Sequence, residues 1–308
     1  MILSICPNPS IDCTIELDNL NVGKLNRINN KVETYSGKAL NVAIGVARLN
    51  KPCIATGFMF ETHAKTFEHV LEKEGVMHDF TYCEGSARVN YKIIDRKSML
   101  TEINDRGGAV SDQKQQELLK KISELSKTCN IAVMSGSLPL SVAPEFYGDA
   151  IRVIPKETKI IVDTEKENML SALKENRVFM VKPNLPELQR FYGKEVFNRK
   201  DIIEACKKYF DFGVRYVLVS LGSEGAILTD GSLNLYCKSA NVAVNSTVGA
   251  GDSMVAATCS ALEDGCDEHE ILLRAVSAGT AAVTTSGTNL FYKDKYDEIY
   301  SKIFVEEF

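Results

Sequence analysis

The stretch Asn245–Leu262, NSTVGAGDSMVAATCSAL, holds the residues best suited to chemistry. Its pattern predicts a strand ending near Val244, a loop of small residues, and a helix from about Gly251 with apolar positions at Val255, Cys259 and Leu262. Gly249, Ala250 and Gly251 carry little or no side chain, so their backbone N–H groups can face an anion where the helix dipole favours negative charge. Asp252 follows directly and reads in two ways. It is an N-cap, common for Asp at such a position, or a carboxylate beside an anion hole. The second arrangement suits phosphoryl transfer, with amides holding the moving group and the carboxylate accepting a hydroxyl proton.

Other routes to such chemistry lack their residues. There is no G-x-x-x-x-G-K-[ST], since Gly37-Lys38 is followed by Ala39 and Gly193-Lys194 by Glu195. Asp211-Phe212-Gly213 imitates a protein-kinase metal motif, but no H-R-D or V-A-I-K accompanies it, and Gly213 fits a helix C-cap. A dinucleotide fingerprint is missing after the first strand, where Ile2–Cys6 leads into Pro7-Asn8-Pro9; this disfavours a nicotinamide dehydrogenase. Four scattered histidines and no G-x-S-x-G argue against a histidine-centred triad. Nine cysteines without a C-x-x-C pair encode neither a disulfide framework nor a zinc site.

The elements that must position these residues alternate. Apolar strands are predicted at Ile2–Cys6, Cys53–Phe58, Ile131–Met134, Ile160–Asp163, Phe179–Lys182 and Val217–Ser220. Amphipathic stretches at Ala39–Leu49, Thr66–Glu74, Asp112–Ser126 and Arg199–Phe212 lie between them. Continuously apolar strands separated by helices imply a parallel sheet covered on both faces. Two segments, about 12–35 and 84–105, alternate without helices and predict a small antiparallel sheet acting as a lid. Ala226–Val244 reads as a strand meander turning at Asp230-Gly231. One domain, 1–308, with a lid is preferred to two independent domains.

With 36 Lys+Arg against 41 Asp+Glu, the formal net charge is −5, which argues against nucleic acid or an anionic membrane as partner. No run approaches the roughly 18 apolar residues of a spanning helix, and the N-terminus lacks a signal-peptide pattern, so a soluble, cytoplasmic chain is predicted. The apolar positions of the lid segments predict a homodimer formed lid to lid.

The loop TVGAGDS, together with SGKALNVA (Ser36–Ala43), SGSLP (Ser135–Pro139), VKPNLPEL (Val181–Leu188) and SLGSEGA (Ser220–Ala226), resembles the PfkB branch of the ribokinase-like kinases. The motifs run in family order through nearly the whole chain. The resemblance is tightest to the hexose-phosphate kinases of that branch. It implies a three-layer α/β/α core with a β-sheet lid, ATP and Mg2+, and transfer to a hexose phosphate, fructose 1-phosphate before tagatose 6-phosphate. A non-catalytic sugar-phosphate-binding relic of the fold is the competing class. By resemblance, Asp252 is the general base and Gly249, Ala250 and Gly251 form the anion hole. Lys182, Asn184, Ser220, Gly222 and Gly225 line the nucleotide, and Glu187 reaches the metal through water. Asp12, Gly37, Lys38, Asn41, Arg88 and Asn90 hold the sugar, with Lys38 and Arg88 clamping its phosphate. Each has a plainer reading: Glu187 as a first-turn helix residue, Ser220–Gly225 as a β-turn, Arg88 as a solvated strand residue.

Four segments depart from the family pattern. Its G-G-K-G becomes Ser36-Gly37-Lys38-Ala39, and its glycine-rich segment becomes Gly57–Val70 without the later glycines and the aspartate. Its D-S-S becomes Asp163-Thr164-Glu165-Lys166, and Thr285–Asn289 lacks the arginine that would support a monovalent-cation site.

Overall fold

A computed structural model describes residues 1–97, 99–285 and 289–308. Strand β1 (Ile2–Cys6) is buried along its whole length, as a strand covered on both faces must be. After Pro9 the chain leaves the core for lid strands β2 (Ser10–Glu16) and β3 (Asn30–Ser36). It returns through α1 (Lys38–Arg48) to β4 (Cys53–Phe60). Helix α2 (Ala64–Lys73) and the short β5 (Met77–His78) and β6 (Thr81–Cys83) follow, then lid strands β7 (Arg88–Ile94) and β8 (Leu100–Asn104).

From α3 (Asp112–Ser126) onward the expected alternation holds: β9 (Ile131–Ser135), α4 (Glu145–Val153), β10 (Lys159–Asp163), α5 (Lys166–Leu173) and β11 (Val178–Val181). Helices α6 (Leu185–Tyr192) and α7 (Arg199–Phe210) lead to β12 (Tyr216–Ser220), then β13 (Ala226–Thr229) and β14 (Asn234–Cys237). Helices α8 (Ala250–Glu263), α9 (Glu268–Ala282) and α10 (Lys293–Tyr300) precede the edge strand β15 (Val305–Glu307). The meander is shorter than the sequence suggests. It ends at Cys237, and 238–249 is loop rather than a strand reaching Val244.

The main sheet runs β15-β14-β13-β12-β11-β10-β9-β1-β4-β5, with β6 on β4. It is parallel from β5 to β12 and antiparallel beyond. The chain reverses direction across the sheet at β1, which lies between β4 and β9. Such a reversal opens a crevice outside the carboxyl ends of the strands. Helices α1, α8, α9 and α10 pack as one group and α3, α4 and α5 as another, flanking a continuous apolar core. All nine cysteines are free, eight of them buried. Among the described residues no helix is long and apolar enough to cross a membrane.

The lid is a separate sheet, β3-β2-β7-β8. It is not purely antiparallel: its central pair, β2 and β7, is parallel, because both strands leave the core in the same direction. It also begins earlier than residue 12, since Ser10 pairs with both Ser36 and Arg88. Residues in register share a face. One face therefore carries Ser10, Asp12, Ser36, Arg88, Asn90 and Lys92, and the other Ile11, Tyr35, Val89, Tyr91 and Ile103.

Candidate active site

Helix α8 starts at Ala250, one residue before the expected point, with Gly249 as its N-cap in the left-handed region at φ 82°. Asp252 is thus inside the first turn, and no side chain caps this helix. The N-cap reading of Asp252 falls. Its carboxylate is buried instead, and Oδ2 accepts a hydrogen bond from Asn41 Nδ2 at 2.8 Å. Burial pushes its pKa up to about 6, against the pull of Lys38, Asn41 and Lys182 and with added repulsion from Asp163. A carboxylate tuned to that range serves as a base near neutral pH.

The ends of three strands and the start of α1 gather at this turn. Asp163, the last residue of β10, is buried between two ammonium groups: Lys182 Nζ lies 3.3 Å from Oδ1 and Lys38 Nζ donates to Oδ2 at 3.5 Å. Ser135 Oγ, ending β9, donates to Oδ2 at 3.1 Å. Burial alone would raise the Asp163 pKa, but Lys182 and Lys38 outweigh it and hold it below the ordinary carboxylate range. Asp163 in turn raises Lys38. A Cβ on Gly251 would stand 3.0 Å from Lys182 Nζ, so the missing side chain lets the helix N-terminus approach that cation.

Sequence reasoning notes Asp163 only as the head of a departing segment. The available signal is its place, an acid ending a buried strand of a parallel sheet, where such sheets put their ligands.

Lys38 and Arg88, the expected phosphate clamp, have different partners within the protein. Lys38 is paired with Asp163, whereas Arg88 Nη2 donates to the Asn8 carbonyl at 3.3 Å. Arg88 is half-buried rather than solvated, and its Nε is buried with no hydrogen-bond partner. Burial lowers its pKa, and no ion pair within 4 Å compensates among the described residues. Asp12 is buried beside it, accepting from Ser36 Oγ at 2.9 Å and Asn90 Nδ2 at 3.0 Å. Ser36, one of the departures, therefore orients Asp12. Ala39, the other, is fully buried, and its carbonyl accepts from Ser4 Oγ at 2.6 Å. At Gly37 a Cβ would come within 2.8 Å of Cys6 Sγ. Asn41, expected at the sugar, spends its amide on Asp252.

The residues expected on the nucleotide side form a third group. Asn184 caps α6 and shares a capping box with Glu187: Glu187 N donates to Asn184 Oδ1 at 2.8 Å, and Asn184 N to Glu187 Oε2 at 2.9 Å. Ser220 N donates to the Pro183 carbonyl at 3.0 Å, stitching β12 to the exit of β11. Gly222 opens a 3-10 turn, not a simple β-turn, with φ 60°. Gly225 must be glycine, because a Cβ there would lie 1.9 Å from the Cys237 carbonyl. Thr164, in the D-S-S position, donates through Oγ1 to the Gly136 carbonyl at 2.8 Å. Of the Thr285–Asn289 segment, Ser286, Gly287 and Thr288 lie outside the described residues.

Magnesium prefers oxygen donors and keeps several waters. Among the described residues no three His, Cys, Asp or Glu side chains could hold a metal together. Glu187 keeps Oε1 outside its capping box. This donor set fits an ion carried on nucleotide phosphates and touched through water, not one caged by protein.

Residues 7–295 match the pfkB family carbohydrate kinase model. The tagatose-6-phosphate kinase of Staphylococcus epidermidis is 30% identical over 310 residues, covering 100% of both chains. The 1-phosphofructokinase of Borreliella burgdorferi is 30% identical over 283 residues, covering 91% of each. Among solved structures, phosphofructokinase-2 from Escherichia coli in complex with potassium superposes with a TM-score of 0.90 at 27% identity, covering 97% of this chain and 98% of that one.

Proposed function

This chain belongs to the pfkB family of carbohydrate kinases, and from that premise we propose that it transfers the γ-phosphoryl group of ATP to fructose 1-phosphate, giving fructose 1,6-bisphosphate. The observation that carries the reading is the meeting of buried Asp252 with Lys38 and Lys182 at the N-terminus of α8. A binding relic would have no use for a base held in this way. Arg88, desolvated and in no ion pair within 4 Å among the described residues, supports an acceptor that already carries a phosphate. Tagatose 6-phosphate is the second reading, supported by the relative that spans the whole chain.

Asn41 holds Asp252 Oδ2, leaving Oδ1 to take the proton from the acceptor hydroxyl. The amides of Gly249, Ala250 and Gly251, with Lys38 and Lys182, stabilise the charge spread over the transferring group. Asp163 raises the pKa of Lys38 and, by its ion pairs, holds both lysines in place. Lys182, Asn184, Ser220, Gly222 and Gly225 line the nucleotide, and Glu187 would hold magnesium through water; when bound, that ion neutralises phosphate charge. Nine free thiols and dependence on ATP suit the cytoplasm. Exposed apolar residues on both faces of the lid, Tyr91 and Ile103 on one and Val32 and Leu100 on the other, support a homodimer formed lid to lid.

An ADP-release assay over fructose 1-phosphate, tagatose 6-phosphate, other sugar phosphates and free fructose tests this. Fructose 1-phosphate should give the highest kcat/KM and free fructose the lowest. Faster turnover of tagatose 6-phosphate selects the second reading, and no ADP release with any sugar phosphate leaves only the relic.

A further inference from the structure

The SGSLP motif, Ser135–Pro139, carries the chain out of β9 beside the floor of the site. Its Gly136 has φ 108°, a region that glycine enters at little cost and other residues rarely adopt. Such a residue has weak local preference for the orientation of its peptide groups, and here three contacts supply one. Gly136 N donates to the Asp163 carbonyl at 3.1 Å, just past the last β9–β10 pair, Ser135 with Asp163. The Gly136 carbonyl accepts twice, from Tyr147 Oη at 2.6 Å and from Thr164 Oγ1 at 2.8 Å. Tyr147, in the first turn of α4, is wholly buried, and Thr164 is buried just after β10. Burial pushes the Tyr147 pKa up, so the phenol stays a neutral donor.

Two buried hydroxyls thus occupy both lone pairs of one carbonyl. The residue between the arms of this clasp is Asp163. Its carbonyl is held by Gly136 N and by Ser135 Oγ, and the same hydroxyl reaches its carboxylate. That carboxylate carries Lys182 and Lys38. A Cβ on Gly136 would lie 3.7 Å from Lys38 Cβ, so the clasped segment also runs alongside the Lys38 stem.

We propose that Tyr147 and Thr164 are positioning residues for phosphoryl transfer. By fixing the Gly136 peptide they lock the exits of β9 and β10 together, and with them the Asp163 carboxylate that orients Lys38 and Lys182. This rests on the reading of the chain as a hexose-phosphate kinase. Cations that stabilise a transferring group lose effect when they are misplaced by a fraction of an ångström, so a looser Asp163 costs turnover rather than binding. Two donors on one carbonyl also make the clasp partly redundant. Removing one hydroxyl loosens it, and removing both leaves a buried carbonyl unmet.

Steady-state kinetics of the intact protein, well below its melting temperature, test the clasp. The substrates are ATP and fructose 1-phosphate, or tagatose 6-phosphate where that is turned over faster. Thr164→Val should lower kcat about three- to tenfold, as loss of one buried hydrogen bond does, with both KM values held within about twofold. Thr164→Ser, which keeps the hydroxyl, should retain the parental kcat. Combining Tyr147→Phe with Thr164→Val should cost more than the product of the two single losses. Should the double variant not fold, the two Thr164 variants decide alone. A Thr164→Val kcat within about twofold of the parent overturns the clasp, while parental turnover leaves the kinase reading standing. Equal losses in Thr164→Val and Thr164→Ser overturn it too, because they mark side-chain shape rather than the hydroxyl, as does a raised KM with kcat held. A parent protein that turns over no sugar phosphate overturns both proposals.

Discussion

The floor of the site and the root of the lid are both polar and buried, yet they are satisfied differently. On the floor, Asp163, Lys38, Lys182, Asp252 and Asn41 complete one another within 3.5 Å. At the lid root, Arg88 Nε, Asn90 Oδ1 and Asn8 Oδ1 are buried with no partner. The floor is organised before any ligand arrives, because the sheet, α1 and α8 hold every member. The lid root keeps hydrogen-bonding capacity that no protein group uses among the described residues. Pre-organised charge belongs where the reaction happens, and unmet hydrogen-bonding capacity belongs where a substrate must be recognised.

The strongest way to break the floor is Asp252→Asn, which keeps the size of the side chain and removes the base. It should lower kcat about 10²–10⁴-fold, with nucleotide Kd and melting temperature little changed. A kcat within about threefold of the parent would remove Asp252 from the chemistry.

Asp163→Asn attacks the same network through its pairing. It leaves Lys182 buried without its counter-charge, and denaturant unfolding should show a loss of about 3–5 kcal/mol. The change Arg88→Gln sharpens the contrast, since no carboxylate is orphaned at the lid root. It should leave unfolding stability nearly unchanged while raising KM for the sugar phosphate.

Acidity separates the two regions again. As the proposed base, Asp252 must be ionised, so kcat/KM should fall as pH drops through about 6. Asn41→Leu removes a hydrogen bond that favours the carboxylate, so the acid limb should move to higher pH. Titration of the substrate's own phosphate would not move with that substitution. An unmoved limb would take Asn41 away from the base.

The smallest expected effect lies in the lid. Ser36→Gly removes one hydrogen bond to Asp12, worth about 0.5–1.5 kcal/mol, and should raise KM for the sugar phosphate a few-fold with kcat held. Ile103→Lys, at an exposed lid position, should leave the kcat of the separated monomer unchanged and halve the mass that light scattering gives for the proposed dimer.

Much of this was legible without coordinates. Short runs without a charged residue, such as Ile2–Cys6 and Ile131–Met134, announce strands covered on both faces, whose residues are buried on either side. Small residues before Asp252 announce an anion-binding helix start for a local reason, the absence of side chains over the amides. The lid was legible as alternation, but alternation carries no strand direction, and the parallel pairing of β2 with β7 followed from where both strands leave the core.

Partnership is what the chain order could not determine. Motif position places Asn41 at the sugar, and motif position with a helix N-terminus places Lys38 at the substrate phosphate. The structure gives Lys38 to Asp163, 125 positions away, and Asn41 to Asp252, 211 positions away. The sequence by itself determined which elements form and which residues stand at strand and helix ends, since periodicity, small side chains and capping act over a few residues. The tertiary structure alone decided which charges neutralise each other and which are left for a ligand, because Coulomb and hydrogen-bond energies depend on distances that only the packed sheet sets.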